Sequence, residues 1–401
     1  MENKKRNILV ITYWSYNFAL IQTYTLPYVK IISKNLPKDS NIFLVTLDKE
    51  TPIIPNDLSE FNIKNISFTY HPFGLKGALM WLKIIFELSR LIRKEKIGVI
   101  HGWCTPAAGI GYVLSVLTGR KLIIDSFEPH ALPMIEGNTW KKNGLAFKIL
   151  FALEKLQLKR ATEVICACEG MIEKSKEVYQ ITKQRYFFKP ACVDLNLFSK
   201  EKIKNVDLIK QYQLEDKITC VYAGKFGGLY LEQETFDFFR IATDYWGDRF
   251  RILILTNHSD EEINTYIKNA GISPRHVIKE FVPHSEVPIY MGLADFAFSP
   301  VKPLPSRRFS TPIKDGEYWA LGLPVVITKN ISDDSDIIKN NKIGSVLEEL
   351  NDVSYLKAIK EIDVLLKNNT RMELYNKIRP IAEKYRNFDI AEKVYKEVYG
   401  K

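Results

Sequence analysis

The chain has 401 residues, 46% of them hydrophobic and 26% charged, which excludes disordered and fibrous classes and fits two domains of ordinary size. The net charge of +10 is uneven: residues 1–200 hold 28 Lys and Arg against 17 Asp and Glu, and residues 201–401 hold 29 against 30. A basic first half points to an anionic surface or substrate for that half.

The opening residues, through Arg6, lead directly into Ile8–Thr12. That run is too short for a signal core, and no later one reaches the roughly 18 uncharged residues of a membrane span. A cytoplasmic protein is expected. Strand patterns follow at Ile42–Thr46, Gly98–His101, Lys121–Asp125, Glu163–Ala167 and Arg185–Phe188, with helical patterns at Thr23–Lys34, Lys76–Arg93 and Pro106–Leu117. The second half repeats the plan. Strands are expected at Lys217–Ala223, Arg251–Thr256, Val277–Phe281, Phe296–Pro300, Val325–Thr328 and Gly344–Leu347. Helices fall between them at Glu232–Tyr245, Asp260–Ala270, Val287–Ala294, Pro312–Leu321 and Ser332–Asn340, and three more close the chain. Such alternation predicts an α/β fold of two doubly wound, Rossmann-like domains with parallel sheets. Ligands of such sheets bind outside the carboxyl ends of the strands, so two facing domains would make a central cleft. The expected divisions are 1–200, 201–386 and a final helical segment, 387–401.

The five cysteines (Cys104, Cys166, Cys168, Cys192, Cys220) lack zinc-ligand spacing and read as buried reduced thiols. No phosphate-loop or dinucleotide fingerprint follows the first strand, where Tyr13-Trp14-Ser15-Tyr16-Asn17 stands. No metal is expected, and no nucleic-acid module is recognisable.

Four constellations carry chemistry. In Tyr222-Ala223-Gly224-Lys225-Phe226-Gly227-Gly228, a strand enters a glycine-rich loop with a helix beyond. Glycines admit close approach to backbone N–H groups, and Lys225 adds charge, which together suit a diphosphate. A tight turn with a surface lysine reads the same way. In Arg307-Arg308-Phe309-Ser310-Thr311-Pro312-Ile313-Lys314-Asp315-Gly316-Glu317, Thr311 is expected to cap a helix that Pro312 opens. Arg307, Arg308 and Lys314 then crowd a helix N-terminus, against its dipole, and Asp315 offsets part of the conflict. A bound anion would relieve the rest. Lys314 and Glu317, three apart, share a face; Glu317 could accept from a ribose diol or form a surface ion pair. The third group, Asp125-Ser126-Phe127-Glu128-Pro129-His130, follows a strand's carboxyl end. His130 there could stabilise charge or bond a sugar hydroxyl, or be structural; His101 reads as packing. Fourth, the runs at 141–160 and 82–97 are basic and amphipathic. They suit an anionic membrane surface, and sheet-covering helices with solvated basic faces have the same pattern.

At these residues the chain resembles the GT-B glycosyltransferases, close to the family-4 retaining enzymes. Val193-Asp194-Leu195-Asn196-Leu197-Phe198 is similar to the family's linker motif, and Tyr222-Ala223-Gly224-Lys225 to its diphosphate loop. The stretch from Val282 to Asp295 is similar to one lying beside the nucleotide base, and Glu317 with Ala320-Leu321-Gly322-Leu323-Pro324-Val325 to the donor site. Phe309 departs from the pattern, which has an acid there. Thr311-Pro312-Ile313-Lys314-Asp315-Gly316-Glu317-Tyr318 is similar to a Ser-Pro-x-Lys-x-x-Glu-Tyr form found in some subfamilies.

The resemblance implies a metal-independent hexosyltransferase-like enzyme that needs no cofactor and takes a UDP-sugar or GDP-sugar as substrate. Transfer with retention to a glycan or lipid-linked acceptor in cell-surface polysaccharide synthesis follows from it. Catalytic roles fall to His130, Lys225 and Glu317, and donor contacts to Gly224, Gly227, Gly228, Ser310, Thr311, Lys314 and Val282. Tyr13, Trp14, Asp125 and Glu128 are expected to hold the acceptor. A peripheral position on the inner face of the cell membrane would fit the basic half. The rivals are an inactive GT-B scaffold that binds nucleotide or glycan, which Phe309 favours, and a sugar-nucleotide epimerase, which Phe309 disfavours.

Overall fold

The computed structural model describes residues 5–18, 20–49, 56–72, 74–177 and 179–400. Unit 1 comprises Met1–Pro190 together with Asp389–Lys401, and unit 2 comprises Ala191–Phe388. The first break precedes residue 200 because the linker is tied into unit 2. There the Val193 N–H donates to the Arg386 carbonyl at 2.8 Å, and Val193 bridges Asn387.

Unit 1 is built on seven strands: β1 (Ile8–Ile11), β2 (Ile42–Asp48), β3 (Ile63–Thr69), β4 (Val99–Trp103), β5 (Lys121–Phe127), β6 (Glu163–Cys166) and β7 (Arg185–Phe188). They are parallel, in the order β3-β2-β1-β4-β5-β6-β7. Every residue of β1 and β2 is buried, as a parallel sheet covered on both faces requires. The sequence gives no sign of β3. It is an edge strand whose Lys64, Asn65 and Ser67 interrupt the apolar pattern, as edges commonly do. The expected helix at Thr23–Lys34 is a π-helical turn, Ile21–Thr25, followed by an α-helix at Leu26–Lys34 with Pro27 in its first turn.

Unit 2 has six parallel strands: β8 (Ile218–Ala223), β9 (Phe250–Leu255), β10 (Val277–Glu280), β11 (Phe296–Ser299), β12 (Val325–Thr328) and β13 (Gly344–Leu347). Their order is β10-β9-β8-β11-β12-β13. Here local signals fix the helices well. The helix Asp260–Ala270 starts at a capping box formed by Ser259 and Glu262 and ends at Gly271, φ +70°.

In each sheet the winding reverses once, between β1 and β4 in unit 1 and between β8 and β11 in unit 2. At such a point the two loops leaving the strands diverge and open a crevice. All five cysteines are buried.

Candidate functional site

In unit 2 the winding reverses beside the glycine-rich loop. Gly224 donates its N–H to the Leu255 carbonyl at 3.0 Å, and the Tyr222 hydroxyl bonds the Lys225 carbonyl. Phe226 is buried against Tyr222 and Phe236. The backbone is thereby pinned on both sides of Lys225, which is exposed. Gly227 and Gly228 turn the chain with φ of +81° and +62°, conformations open mainly to glycine. The loop leads to the helix expected at Glu232–Tyr245, but not directly. It first pairs with the exit of β11, through Leu231 N–H to the Pro300 carbonyl (2.8 Å) and Lys302 N–H to the Leu229 carbonyl (2.9 Å). The helix then begins at Gln233, with Glu232 at its cap position, within one residue of the expected start.

The second segment enters the same crevice. The Ala223 N–H, the last before the loop, donates to the Tyr318 hydroxyl at 3.0 Å. The helix that carries Glu317 is thus tied to the end of β8, where the glycine loop begins. Glu317 is buried; Lys314 Nζ donates to its Oε2 at 2.7 Å, and His284 Nε2 lies 3.8 Å from its Oε1. Burial pushes the Glu317 carboxyl up, but Lys314 and His284 outweigh it, so the group sits below its usual range and is ionised. Val282, two residues before His284, is half-buried. Sequence reading missed His284, although it stands two residues beyond Val282 in the segment leaving β10.

The preceding turn corrects three expectations. The helix Ile313–Ala320 has Pro312, not Thr311, at its cap position, with no side-chain cap; the Thr311 hydroxyl lies 3.5 Å from that of Ser332. Arg307 does not crowd the helix end as a solvated cation but is 6% exposed, in a 3-10 turn at Pro305–Phe309. Asp315 adds no countercharge. It is fully buried beside Asp334 and Ser299, and burial first, then Asp334, pushes its carboxyl well up. Burial beside Asp334 thus favours the neutral form of Asp315, while Asp334 pairs with Arg386. Among the described residues, Arg307 Nε and Ser310 Oγ are two of several buried side-chain atoms without a hydrogen-bond partner, an arrangement that costs about 1–3 kcal/mol each. Gly316 is needed for contact: a Cβ there would lie 2.8 Å from both Arg386 Cγ and Val193 Cγ2.

In unit 1, Asp125 is removed from any acceptor site. It is fully buried, 3.1 Å from His101 Nε2, 3.3 Å from Lys189 Nζ and 2.5 Å from the Tyr395 hydroxyl. Burial raises its carboxyl, but Lys189, His101 and Tyr395 together hold it at about 2. His101 is buried too, and its Nδ1 bonds the Tyr399 hydroxyl at 2.5 Å. Lys189 lies over the Tyr28 ring at 3.7 Å. This is an internal polar network, and its charge count explains why a buried lysine is tolerated.

His130 and Glu128 stay near the surface, in the turn after β5. Glu154, the one acid of the basic helix Leu145–Arg160, is buried and accepts the His130 and Ala131 N–H groups at 2.8 Å each. Tyr13 and Trp14 are half-buried after β1. Asp48 shapes that loop by accepting from Ser15 Oγ and the Tyr16 N–H, both at 2.7 Å. Tyr13 stacks on Trp81 at 6.1 Å between ring centroids, and the two line a cleft of about 260 Å³ with Tyr70 and His71. A roomier cleft of about 830 Å³ runs along β13 and the helix Asp352–Asn368, far in sequence from every expected site residue.

Two doubly wound parallel-sheet units, the second with its glycine loop where the winding reverses, define the GT-B fold of glycosyltransferases. Solved structures agree over nearly the whole chain. Sucrose-phosphate synthase from Thermosynechococcus elongatus is similar with a TM-score of 0.74 and 14% identity, covering 98% of each chain. Anabaena HepE, in complex with UDP-glucose, gives 0.71 and 13%, also over 98% of each. WaaG, a glycosyltransferase involved in lipopolysaccharide biosynthesis, gives 0.71 and 13%, over 98% of this chain and all of that one. Residues 305–397 match the model of the glucosyltransferase 3-like C-terminal domain. No curated protein matches the chain by sequence.

Proposed function

We propose that the chain is a sugar-nucleotide-dependent glycosyltransferase. The observation that carries the reading is the Ala223–Tyr318 hydrogen bond, which ties the helix bearing the ionised Glu317 to the strand end where the Lys225 glycine loop begins. In this reading a UDP- or GDP-sugar lies along the crevice of unit 2. Glu317 accepts from the ribose hydroxyls, and Val282 borders the base. Lys225, the N–H groups of Gly224, Gly227 and Gly228, and the Ser310–Thr311 turn face the diphosphate. The bond from the anomeric carbon to the diphosphate oxygen breaks and a bond to the acceptor oxygen forms. The acceptor oxygen attacks from the face that the diphosphate leaves and gives its proton to the departing phosphate, so that donor stereochemistry is retained. Preorganised positive groups help most where this charge develops, and here they take the role a metal fills elsewhere. Lys314 keeps Glu317 charged. On unit 1, Tyr13 and Trp14 hold the acceptor beside Trp81, with Glu128 at the rim and His130 as a hydrogen-bond partner for a sugar hydroxyl. HepE, similar in fold, was solved with UDP-glucose, which supports a uridine donor.

For acceptor and place, we propose a glycan or lipid-linked saccharide of the cell surface, met at the cytoplasmic face of the membrane. WaaG supports this through its involvement in lipopolysaccharide biosynthesis, and the basic first half supports it through charge.

The test is a thermal-shift screen of sugar nucleotides, followed by assay of the released nucleotide with the best binder. A bound donor raises the melting temperature, and turnover then shows transfer or hydrolysis. An inactive scaffold, which Phe309 in place of an acid favours, would give the shift without release. No shift with any donor would sink both readings.

A further inference from the structure

The helix Leu75–Lys94 in unit 1 has two apolar faces. One packs inward, through the buried Met80, Ile84 and Leu88. The other consists of Leu75, Leu79, Leu82 and Phe86, which are 58–79% exposed. Their spacing of four, three and four residues confines them to about 60° of arc, half a turn from the buried face. A helix that only covers a sheet presents polar residues on that outer side. The reading of a solvated basic face therefore fails for this helix: its outer face is apolar, and the bases Lys76, Lys83, Arg90 and Lys94 run along one flank.

The pattern recurs. In the helix Leu145–Arg160, Leu145, Ile149, Ala152 and Leu156 are exposed with the same spacing. Lys148, Lys155 and Lys159 lie along their flank. Between the two helices packs a third, Cys104–Thr118, whose Val116 and Leu117 are also exposed. Three adjacent helices thus offer one apolar face edged with lysine. Single exposed leucines are ordinary, but two aligned rows on neighbouring elements mark an interaction surface.

We propose that this face docks unit 1 on an anionic lipid bilayer, with the two rows entering the headgroup–acyl boundary and the flanking lysines meeting lipid phosphates. Charge decides between a membrane and a protein partner. Protein interfaces are depleted of lysine, whereas long basic side chains beside an apolar stripe bury their stems and keep their heads at lipid phosphates. Glu87, paired with Lys83 at 3.8 Å, is the single exposed acid on the two row-bearing helices. The aromatic cleft of Tyr13, Tyr70 and His71 is closed on one side by Trp81 of the first row's helix. Trp81 lies about 130° around the helix from the row, so docking leaves that cleft open beside the bilayer, within reach of an acceptor saccharide on a lipid anchor. The inference rests on the membrane placement proposed above and names the surface that achieves it.

The test floats the full chain with phosphatidylcholine vesicles made with and without phosphatidylglycerol. The wild type is expected to bind the anionic vesicles and to bind the neutral ones more weakly. Leu82→Gln with Phe86→Gln should lower partitioning onto anionic vesicles about tenfold or more, with an unchanged melting temperature because both side chains are exposed. Lys83→Glu with Arg90→Glu should abolish the preference for anionic lipid. If the Leu82 and Phe86 variant binds like the wild type, this face is wrong while the membrane placement stands. If the wild type binds neither vesicle, both fall. A dimer in sedimentation that these substitutions disperse, without vesicle binding, would assign the face to a second copy and overturn the proposal. The donor-induced thermal shift reads unit 2 in every arm, so it separates these failures from failure of the sugar-nucleotide reading.

Discussion

Glu317 shows how a single side chain is set for its task. Burial alone would neutralise it; Lys314 on one oxygen and His284 beside the other keep it charged. The lowered value means that the ionised form is present above the ordinary carboxylate range and is lost only as pH falls below it. Glu317→Gln should weaken donor binding about tenfold or more, as loss of a charged hydrogen-bond partner does; donor-induced thermal shifts at neutral pH check this. Asp315, two residues away, behaves oppositely. Its raised value means the folded chain keeps a proton that the unfolded chain gives up. Stability from this group therefore declines as pH rises above about 4. Asp315→Asn should remove that decline and leave the melting temperature at pH 7 unchanged or higher, measurable by melting across pH. Sequence placed Glu317 on a shared face with Lys314, since three-residue spacing is local. It gave the wrong role for Asp315, because burial beside Asp334 depends on a segment far along the chain.

At the scale of elements, the glycine loop is held by partners on both sides before it reaches its helix. Its shape depends on Gly227, where a Cβ would lie 3.1 Å from Glu232 Oε1 at φ +81°. Gly227→Ala should cost about 1 kcal/mol of stability or somewhat more, and should reduce the donor-induced shift out of proportion to that loss. A melt with and without donor separates the two effects. The helix expected at Asp260–Ala270 was legible from sequence, because the signals at its ends, Ser259 with Glu262 and Gly271, lie within a few residues of each boundary. The edge strand β3 was not, because its polar residues follow from its place at the sheet margin. The helix at Ile313 showed the same limit: Thr311 has the chemistry of a cap, yet its hydroxyl sits beside Ser332, from another part of unit 2.

At the scale of the molecule, unit 1 is closed by residues from the far end of the chain. Tyr395 and Tyr399 reach the network of Asp125, His101 and Lys189. Deleting residues 389–401 should leave that network short of two hydroxyls and open a buried apolar seam, so the truncated chain should melt well below the full one. Asp125→Asn should cost about 3–5 kcal/mol at neutral pH, because buried Lys189 would lose its carboxylate counterion. Since the folded carboxyl is held at about 2, its stabilising contribution is present above about pH 4 and fades as pH falls toward 2. Acid unfolding of the wild type should therefore show a step there that the variant lacks.

Local order of residues determined the alternation of strands and helices, the two parallel-sheet units and the glycine loop, because periodicity, caps and turn residues act over a few positions. Only the tertiary structure decided which polar groups work and which merely hold the fold. It buried Asp125 and Asp315, charged Glu317, added His284 and turned the leucines of Leu75–Lys94 outward. The environment of an ionisable or apolar side chain is made by neighbours distant in sequence, so no local pattern contains it.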